Sequence, residues 1–353
     1  MIVPEKLNKN DTVSIISLSS GILGENYAKH QLNLAVKRLN ELGLQVKFME
    51  NSLKGIEYLK NHPEKRAEDL KKAFNDENTK MIICSIGGND TYKTIPYLLE
   101  DRDFIESVKN NPKIFTGFSD TTINHLMFYK LGLRTYYGMN ILNDISELSS
   151  EMLPYTKKYF LEYFKNSENL KIKSSDIWYE ERTDFSNKEL NKNRISHKEL
   201  RGFELIQGKE IFFGELYGGC IESLYSIYIN EEENKIMRKY NLIPEFKDLE
   251  NKILFIETSE DKSSPEKLRK MLIKLMEKGL FENINGLLVG KPQDEKYYEE
   301  YKEIYRELIP NSIPIVYNVN FGHSYPRTIL AYGTKIEVNM KNREITYLEK
   351  ILR

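Results

Sequence analysis

The sequence predicts an α/β protein of two domains, a parallel-sheet N-terminal domain followed by a smaller β-rich α/β C-terminal domain. Three observations predict it. Through the first 140 residues, apolar β-branched runs alternate with helical patterns, which is the rhythm of βαβ units. Those runs are apolar at consecutive positions, as strands covered on both faces of a parallel sheet are. And at 353 residues the chain is longer than one hydrophobic core ordinarily serves.

In the first domain (1–165) the strand runs are VSIIS (13–17), LQVKFM (44–49), KMIICSI (80–86) and KIFTGF (113–118), with helical patterns over 26–42 and near 64–76. Such sheets gather ligands at the carboxyl ends of their strands, and KIFTGF delivers Ser119 to that edge. Residues 166–205 turn polar and charged without aliphatic periodicity, the pattern of a linker or surface excursion whose charges form a solvated face. Trp178, the sole tryptophan, lies there and either packs against its own domain or offers a stacking platform to a substrate.

Ordered patterns resume over 206–353, with strands at EIFFGELYGG (210–219), KILFIET (252–258), NGLLVGK (285–291) and IPIVYNV (313–319), and a charged helix running to about 308. A helix starts at Ser264-Pro265 and stops at Gly279: serine suits the N-cap, proline the first helical position and glycine the C-terminal stop. The closing TKIEVNMKNREITYL alternates around a polar turn, as a hairpin does.

Composition narrows the partners. Lys and Arg number 52 against 53 Asp and Glu, a formal charge of -1, so no global field draws a nucleic acid and the expected partner is small. No apolar run approaches the roughly 18 residues of a membrane span, and MIVPEKLNKNDTV lacks the features of a signal peptide, so the expected location is the cytoplasm. Cys84 and Cys220 read as two buried thiols. No Cys or His pair shows ligand spacing, so no metal is expected. Neither a dinucleotide fingerprint after a strand nor a Walker sequence occurs, so no cofactor is expected.

The chemistry concentrates around GFSDTT (117–122). Ser119 is either a helix cap or a nucleophile on a sharp strand-to-helix turn, in a partial form of the nucleophile elbow with Thr121 in place of the trailing glycine. A serine nucleophile needs a base. Of the five histidines, His30 in an amphipathic helix, His62 before a proline in a charged stretch and His197 in the polar linker are expected to face solvent. His125 follows Ser119 on the same predicted helix with an angular offset of about 240°, which turns it away. His323, in NFGHSYPR after an apolar run, is the best base.

Glu257 ends the otherwise apolar strand KILFIE and either orients that imidazole or simply emerges at a strand end. SIGGND (85–90) brings Gly87, Gly88 and Asn89 to a strand's end, where glycine amides approach a ligand closely or merely make a turn. With the amide of Asp120 they are candidates for oxyanion and substrate contacts. Gly218-Gly219 either lines a cleft or makes a tight turn.

Ser119 in PKIFTGFSDTT, the upstream SIGGNDTYKTIPYL, then LYGGCIESL (216–224), ILFIETSE (253–260) and FGHS (321–324), in this order, resemble the LD-carboxypeptidase family of serine peptidases. The IGGND form is closer to the microcin-immunity branch than to the murein branch. The resemblance implies Ser119 as nucleophile, His323 as general base and acid, Glu257 as orienting acid, and the amides of Gly88 and Asp120 as oxyanion hole. It also implies a flavodoxin-like N-terminal domain, a β-rich C-terminal domain, a site between them, no metal and a homodimer.

The chain departs from the family pattern at Cys220-Ile221, where Asn-Leu is usual, and over 186–210. The implied reaction is hydrolysis of an amide in a small peptide such as a murein tetrapeptide, through an acyl-enzyme. The alternatives are a peptidyl-nucleotide or aminoacyl-adenylate substrate, and a non-catalytic binder of peptides or amino sugars.

Overall fold

The computed structural model describes residues 1–244 and 249–353. Its first half runs β1 (Thr12–Ile16), α1 (Lys29–Glu41), β2 (Gln45–Phe48), α2 (Ile56–Asn61), α3 (Pro63–Asn75), β3 (Thr79–Cys84), α4 (Ile95–Leu99), α5 (Arg102–Asn110), β4 (Ile114–Gly117), α6 (Thr122–Lys130) and β5 (Tyr136–Tyr137). These strands pair in parallel in the order β2-β1-β3-β4-β5, the flavodoxin-like order, whose ligands sit beyond the strand carboxyl ends at the point where the order reverses. The apolar runs are buried as expected: Val13, Ile15 and Ile16, Met81 to Cys84, and Ile114 with Phe115 are all core residues.

The second half runs α7 (Pro154–Phe160), β6 (Lys171–Lys173), β7 (Ile177–Tyr179), β8 (Ser196–Lys198), β9 (Glu204–Gln207), β10 (Ile211–Cys220), α8 (Ile221–Ile229), α9 (Glu231–Lys239), β11 (Lys252–Glu257), α10 (Pro265–Glu277), β12 (Gly286–Gly290), α11 (Tyr298–Leu308), β13 (Ile315–Val319), β14 (Leu330–Ala331), β15 (Lys335–Asn339) and β16 (Glu344–Tyr347). A second sheet has the order β6-β16-β15-β10-β11-β12-β13-β9. Its centre, β10 to β13, is parallel and its flanks are antiparallel. The Ser264 hydroxyl accepts from Lys267 N (3.3 Å), with Pro265 in the first turn, and Gly279 ends the helix at φ 78°. The hairpin is β15–β16, with Asn339 opposite Glu344.

Two of the ties between the halves lie near the end of β4. β14 leaves the second half and pairs antiparallel with β5, Leu330 opposite Tyr137. α6 is buried from Thr122 to Phe128, and Cys220 N at the end of β10 donates to Thr122 Oγ1 (3.0 Å). The end of β4 and the end of β10 therefore share one seam.

The 166–205 stretch has more structure than its composition signals. β6 extends the second sheet, and β7 with β8 forms a two-stranded ribbon. Two of its three arginines are not part of a solvated face: Arg194 Nε and Arg182 Nη2 pair with Glu147 at 2.6 and 2.7 Å, both guanidinium side chains almost fully buried. Charge pairing to a residue far earlier in the chain orders this region, so aliphatic periodicity carries no trace of it.

Candidate active site

Ser119 stands where β4 turns into a short 3-10 segment that leads α6. Its φ is 66°, the left-handed region that a non-glycine residue enters at a cost of about 1–3 kcal/mol, which the surrounding structure must offset. That is the geometry of a nucleophile elbow. The capping alternative fails on both candidates: the segment has no side-chain cap bond, and Asp120 spends its carboxylate on Thr91 N (2.9 Å).

The glycine pair lies directly against this turn. A Cβ on Gly87 would sit 3.1 Å from Ser119 Oγ, 2.8 Å from its Cβ and 3.4 Å from Asp120 N, so only glycine lets this backbone approach so closely. The loop is pinned from behind: Asn89 N donates to Ser19 Oγ (3.1 Å), and Asp90 pairs with the fully buried Arg66 at 2.6 Å. The loop after β3 and the turn after β4 thus meet at Gly87, Ser119 and Asp120 N, and Gly88 lines the same cavities as Ser119.

Glu257 ends β11 with 1% exposure. His323, in the loop after β13, donates to Glu257 Oε2 from Nδ1 (2.7 Å) and from its backbone N (3.2 Å). Gly322, at φ 80°, makes this contact sterically feasible, since a Cβ there would stand 2.5 Å from Glu257 Oε2. The loop is held by Arg327, itself fully buried, which pairs with Asp144 (3.2 Å), donates to the His323 carbonyl (3.2 Å) and stacks over Phe118 at 4.4 Å. The His323 ring meets Phe118 edge to face at 5.0 Å, beside Ser119 in sequence.

The far nitrogen of His323, Nε2, is bonded to Glu260 Oε2 at 2.8 Å. Burial alone would push the imidazole pKa down, but the charge of Glu257, its hydrogen bond and the Glu260 contact together lift it to about 10. The same bond to His323 holds Glu260 down at about 2. Because the Glu260 side chain is 65% exposed, solvent softens this second pairing relative to the first.

Sequence reasoning missed Tyr137. Its hydroxyl accepts from Ser119 N (3.1 Å) and donates to Glu257 Oε1 (2.5 Å), tying the elbow of one domain to the acid of the other. Burial, then the charge of Glu257, pushes its pKa well up, so it remains a donor at every working pH. The only local signal was the Tyr136-Tyr137 pair opening a glycine-containing stretch.

Two cavities meet at Ser119. One, about 620 Å³, is lined by Ser119, Gly87, Gly88, Glu260 and His323, with the rings of Tyr27, Phe118 and Phe185. The other, about 500 Å³, shares Ser119, Gly88 and Glu260 and adds Asn89, Cys220 and a set of acids.

Two sequence candidates sit elsewhere. Trp178 stacks on His197 across the β7–β8 ribbon at 4.2 Å with the Lys291 ammonium 5.0 Å from its ring, and neither cavity includes it. From the same 166–205 stretch it is Phe185 that borders a cavity, its carbonyl accepting from His30 Nε2 (2.9 Å). Gly219 lies in the interdomain seam, where a Cβ would run into Thr122.

His125 is fully buried between Thr135 Oγ1 (2.7 Å) and the Gly117 carbonyl (3.0 Å), its pKa pushed to about 3 by burial. It serves the fold behind the elbow. Ligand-type atoms of Cys220, Glu257 and His323 lie within 4.8 Å of one another, but Glu257 and His323 are already bonded to each other, and burial pushes the Cys220 thiol well above its ordinary value, away from the thiolate a metal needs.

Residues 13–138 match the LD-carboxypeptidase N-terminal domain and residues 213–338 the LD-carboxypeptidase C-terminal domain. The chain belongs to the LD-carboxypeptidase family of serine peptidases. Its relatives in this family include a MccF-like protein from Streptococcus pneumoniae solved in complex with AMP, 48% identical with a TM-score of 0.92 over 96% of this chain and 98% of that one. The probable murein peptide carboxypeptidase of Bacillus subtilis is 27% identical over 95% of this chain and 91% of its own. The microcin C7 self-immunity protein MccF of Escherichia coli is 25% identical over 92% and 90%. Within the LD-carboxypeptidase fold, the two-domain α/β architecture expected from the sequence is present. No helix of the described residues is long and apolar enough to cross a membrane.

Proposed function

We propose that this protein is a serine amidohydrolase whose substrate is an aminoacyl or peptidyl nucleotide, with Ser119 as nucleophile, His323 as general base and acid, and Glu257 as the acid that orients it. The observation that carries the reading is the pair of cavities joined at Ser119, one of them walled by Tyr27, Phe118 and Phe185. Aromatic rings beside a cavity of this size suit a planar base, and the Streptococcus pneumoniae relative was solved with AMP. The murein tetrapeptide, which the sequence put first, has no use for those rings.

In this reading Glu260 yields His323 Nε2 when substrate enters, and the freed imidazole takes the Ser119 proton as Oγ attacks the scissile carbonyl. The amides of Gly88 and Asp120 receive the developing oxyanion, a contribution of about 3 kcal/mol to the barrier. The carbon–nitrogen bond breaks as His323 returns the proton to the leaving nitrogen. Water, deprotonated by the same imidazole, then cleaves the acyl ester and regenerates Ser119. Neither Ser119 nor His323 works alone, because each comes from a different domain.

The test is mass spectrometry of murein tetrapeptides and aminoacyl-sulfamoyl adenosines incubated with wild-type and Ser119→Ala protein. The wild type is expected to release the free amino acid and sulfamoyl adenosine, with the variant slower by about 10⁴-fold or more. Hydrolysis of the tetrapeptide alone would reinstate the murein reading. Wild-type rates from Ser119→Ala would remove the serine mechanism.

A further inference from the structure

The cavity of about 500 Å³ on the far side of Ser119 has an unusual lining: Asp120, Glu222, Glu233, Glu260 and Asp261 contribute carboxylates, and among the described residues no Lys, Arg or His side chain contributes. The chain as a whole is balanced at -1, so this is a local choice. Among the described residues no lysine or arginine pairs with Glu222 or Glu233. Glu222 instead accepts from Ser259 N (3.0 Å), Ser263 Oγ (3.2 Å) and the Cys220 thiol (3.2 Å), while Glu233 accepts from Ser226 Oγ (2.5 Å).

A second observation points to a ligand. Ser259 lines the same cavity with 8% exposure, and its hydroxyl has no hydrogen-bond partner among the described residues. A buried hydroxyl left unpaired is costly unless something arrives to satisfy it. Cys220, also in this wall, stands where the family usually has asparagine, so the position offers no amide to an acidic group.

Given the aminoacyl-nucleotide reading above, on which this step rests, the aromatic cavity takes the leaving nucleoside and the acidic cavity takes the acyl residue, since the attacked carbonyl lies between them. We infer that the acyl residue this enzyme accepts carries a cationic side chain, an ammonium or guanidinium, seated among Glu222, Glu233 and Asp261 with the Ser259 hydroxyl as acceptor. The buried acids support this from the other direction: burial, and for Glu222 the neighbouring Glu257, outweighs the His323 charge and raises both, Glu233 to about 7, as befits carboxylates that no lysine or arginine among the described residues pairs with.

The probes are lysyl-, norleucyl- and glutamyl-sulfamoyl adenosine, which share an α-ammonium and differ only in the side chain. Wild-type kcat/KM is expected to favour lysyl over norleucyl by about 10-fold, with glutamyl lowest. Asp261→Lys, an exposed change in a turn, is expected to erase the lysyl advantage and raise glutamyl relative to it. Calorimetric affinities for Ser119→Ala protein keep the two proposals apart. If wild type cleaves none of the three yet the variant binds lysyl most tightly, the amidohydrolase reading fails and the cationic pocket stands. Equal or tighter handling of glutamyl than lysyl, in turnover or in binding, or no binding of any probe, overturns the pocket assignment.

Discussion

The turn that presents Ser119 and the loop that presents His323 solve the same problem by opposite means. Around Ser119 the chain relies on backbone shape: a positive φ, a glycine loop so close that a Cβ on Gly87 would stand 3.1 Å from Oγ, and a buried helix behind. Around His323 it relies on buried charge: Glu257 on one nitrogen, Glu260 on the other, and Arg327 paired with Asp144 beneath. In the proposed mechanism Ser119 is the nucleophile and His323 the base: a nucleophile must be exposed at one point and is inert by itself, so steric confinement suffices. A base must change its charge during the cycle, so its surroundings have to be electrostatic.

The contrast breaks first at Arg327. Arg327→Met leaves Asp144 as an uncompensated buried charge and is expected to destabilise the protein by about 3–5 kcal/mol, read from the urea midpoint. A loss below about 1 kcal/mol would mean that the loop is held by packing rather than by charge. Next comes Tyr137, the link between the two regions. Tyr137→Phe removes a hydrogen bond to the Glu257 carboxylate and is expected to cost about 1.5–3 kcal/mol in stability and to lower kcat with little change in KM. An unaltered kcat would show the two regions to be independent.

Glu260→Gln sharpens the electrostatic half. The Glu260 and Glu257 pairings raise His323 in the folded state, so the stabilisation they provide is complete below the unfolded value of about 6.5 and lost as pH rises through about 10. Removing one of the two carboxylates should move the acidic limb of the kcat/KM profile downward by about one pH unit. A limb that stays in place would assign it to another group. The smallest effect belongs to the steric half: Ser119→Gly relieves the left-handed strain and is expected to raise stability by up to about 1 kcal/mol, a gain tempered by the freer unfolded chain. A destabilised glycine variant would argue that Ser119 is not strained.

The same division explains what could be read from residues alone. Ser119, Gly88, Glu257 and His323 carry local marks: glycines beside a serine, an acid closing an apolar strand, a histidine in a glycine loop. Parallel strands at β1, β3 and β4 advertised themselves by unbroken apolar runs. Tyr137 and Arg327 act through partners 120 and 183 residues away, and no local pattern encodes such pairs. Trp178 stands out in the sequence as the sole tryptophan, but a cross-strand histidine claims its face, whereas Phe185, unremarkable in a charged stretch, borders the cavity.

The account turns on whether the imidazole of His323 activates the hydroxyl of Ser119 across the domain boundary. Labelling with a serine-directed fluorophosphonate, with the adduct located by peptide mass spectrometry in wild-type and His323→Ala protein, measures that directly. The account predicts a stoichiometric adduct on Ser119 in the wild type and almost none in the variant at equal folded concentration. An adduct that forms equally fast without His323, or one that falls on a different serine, would contradict it.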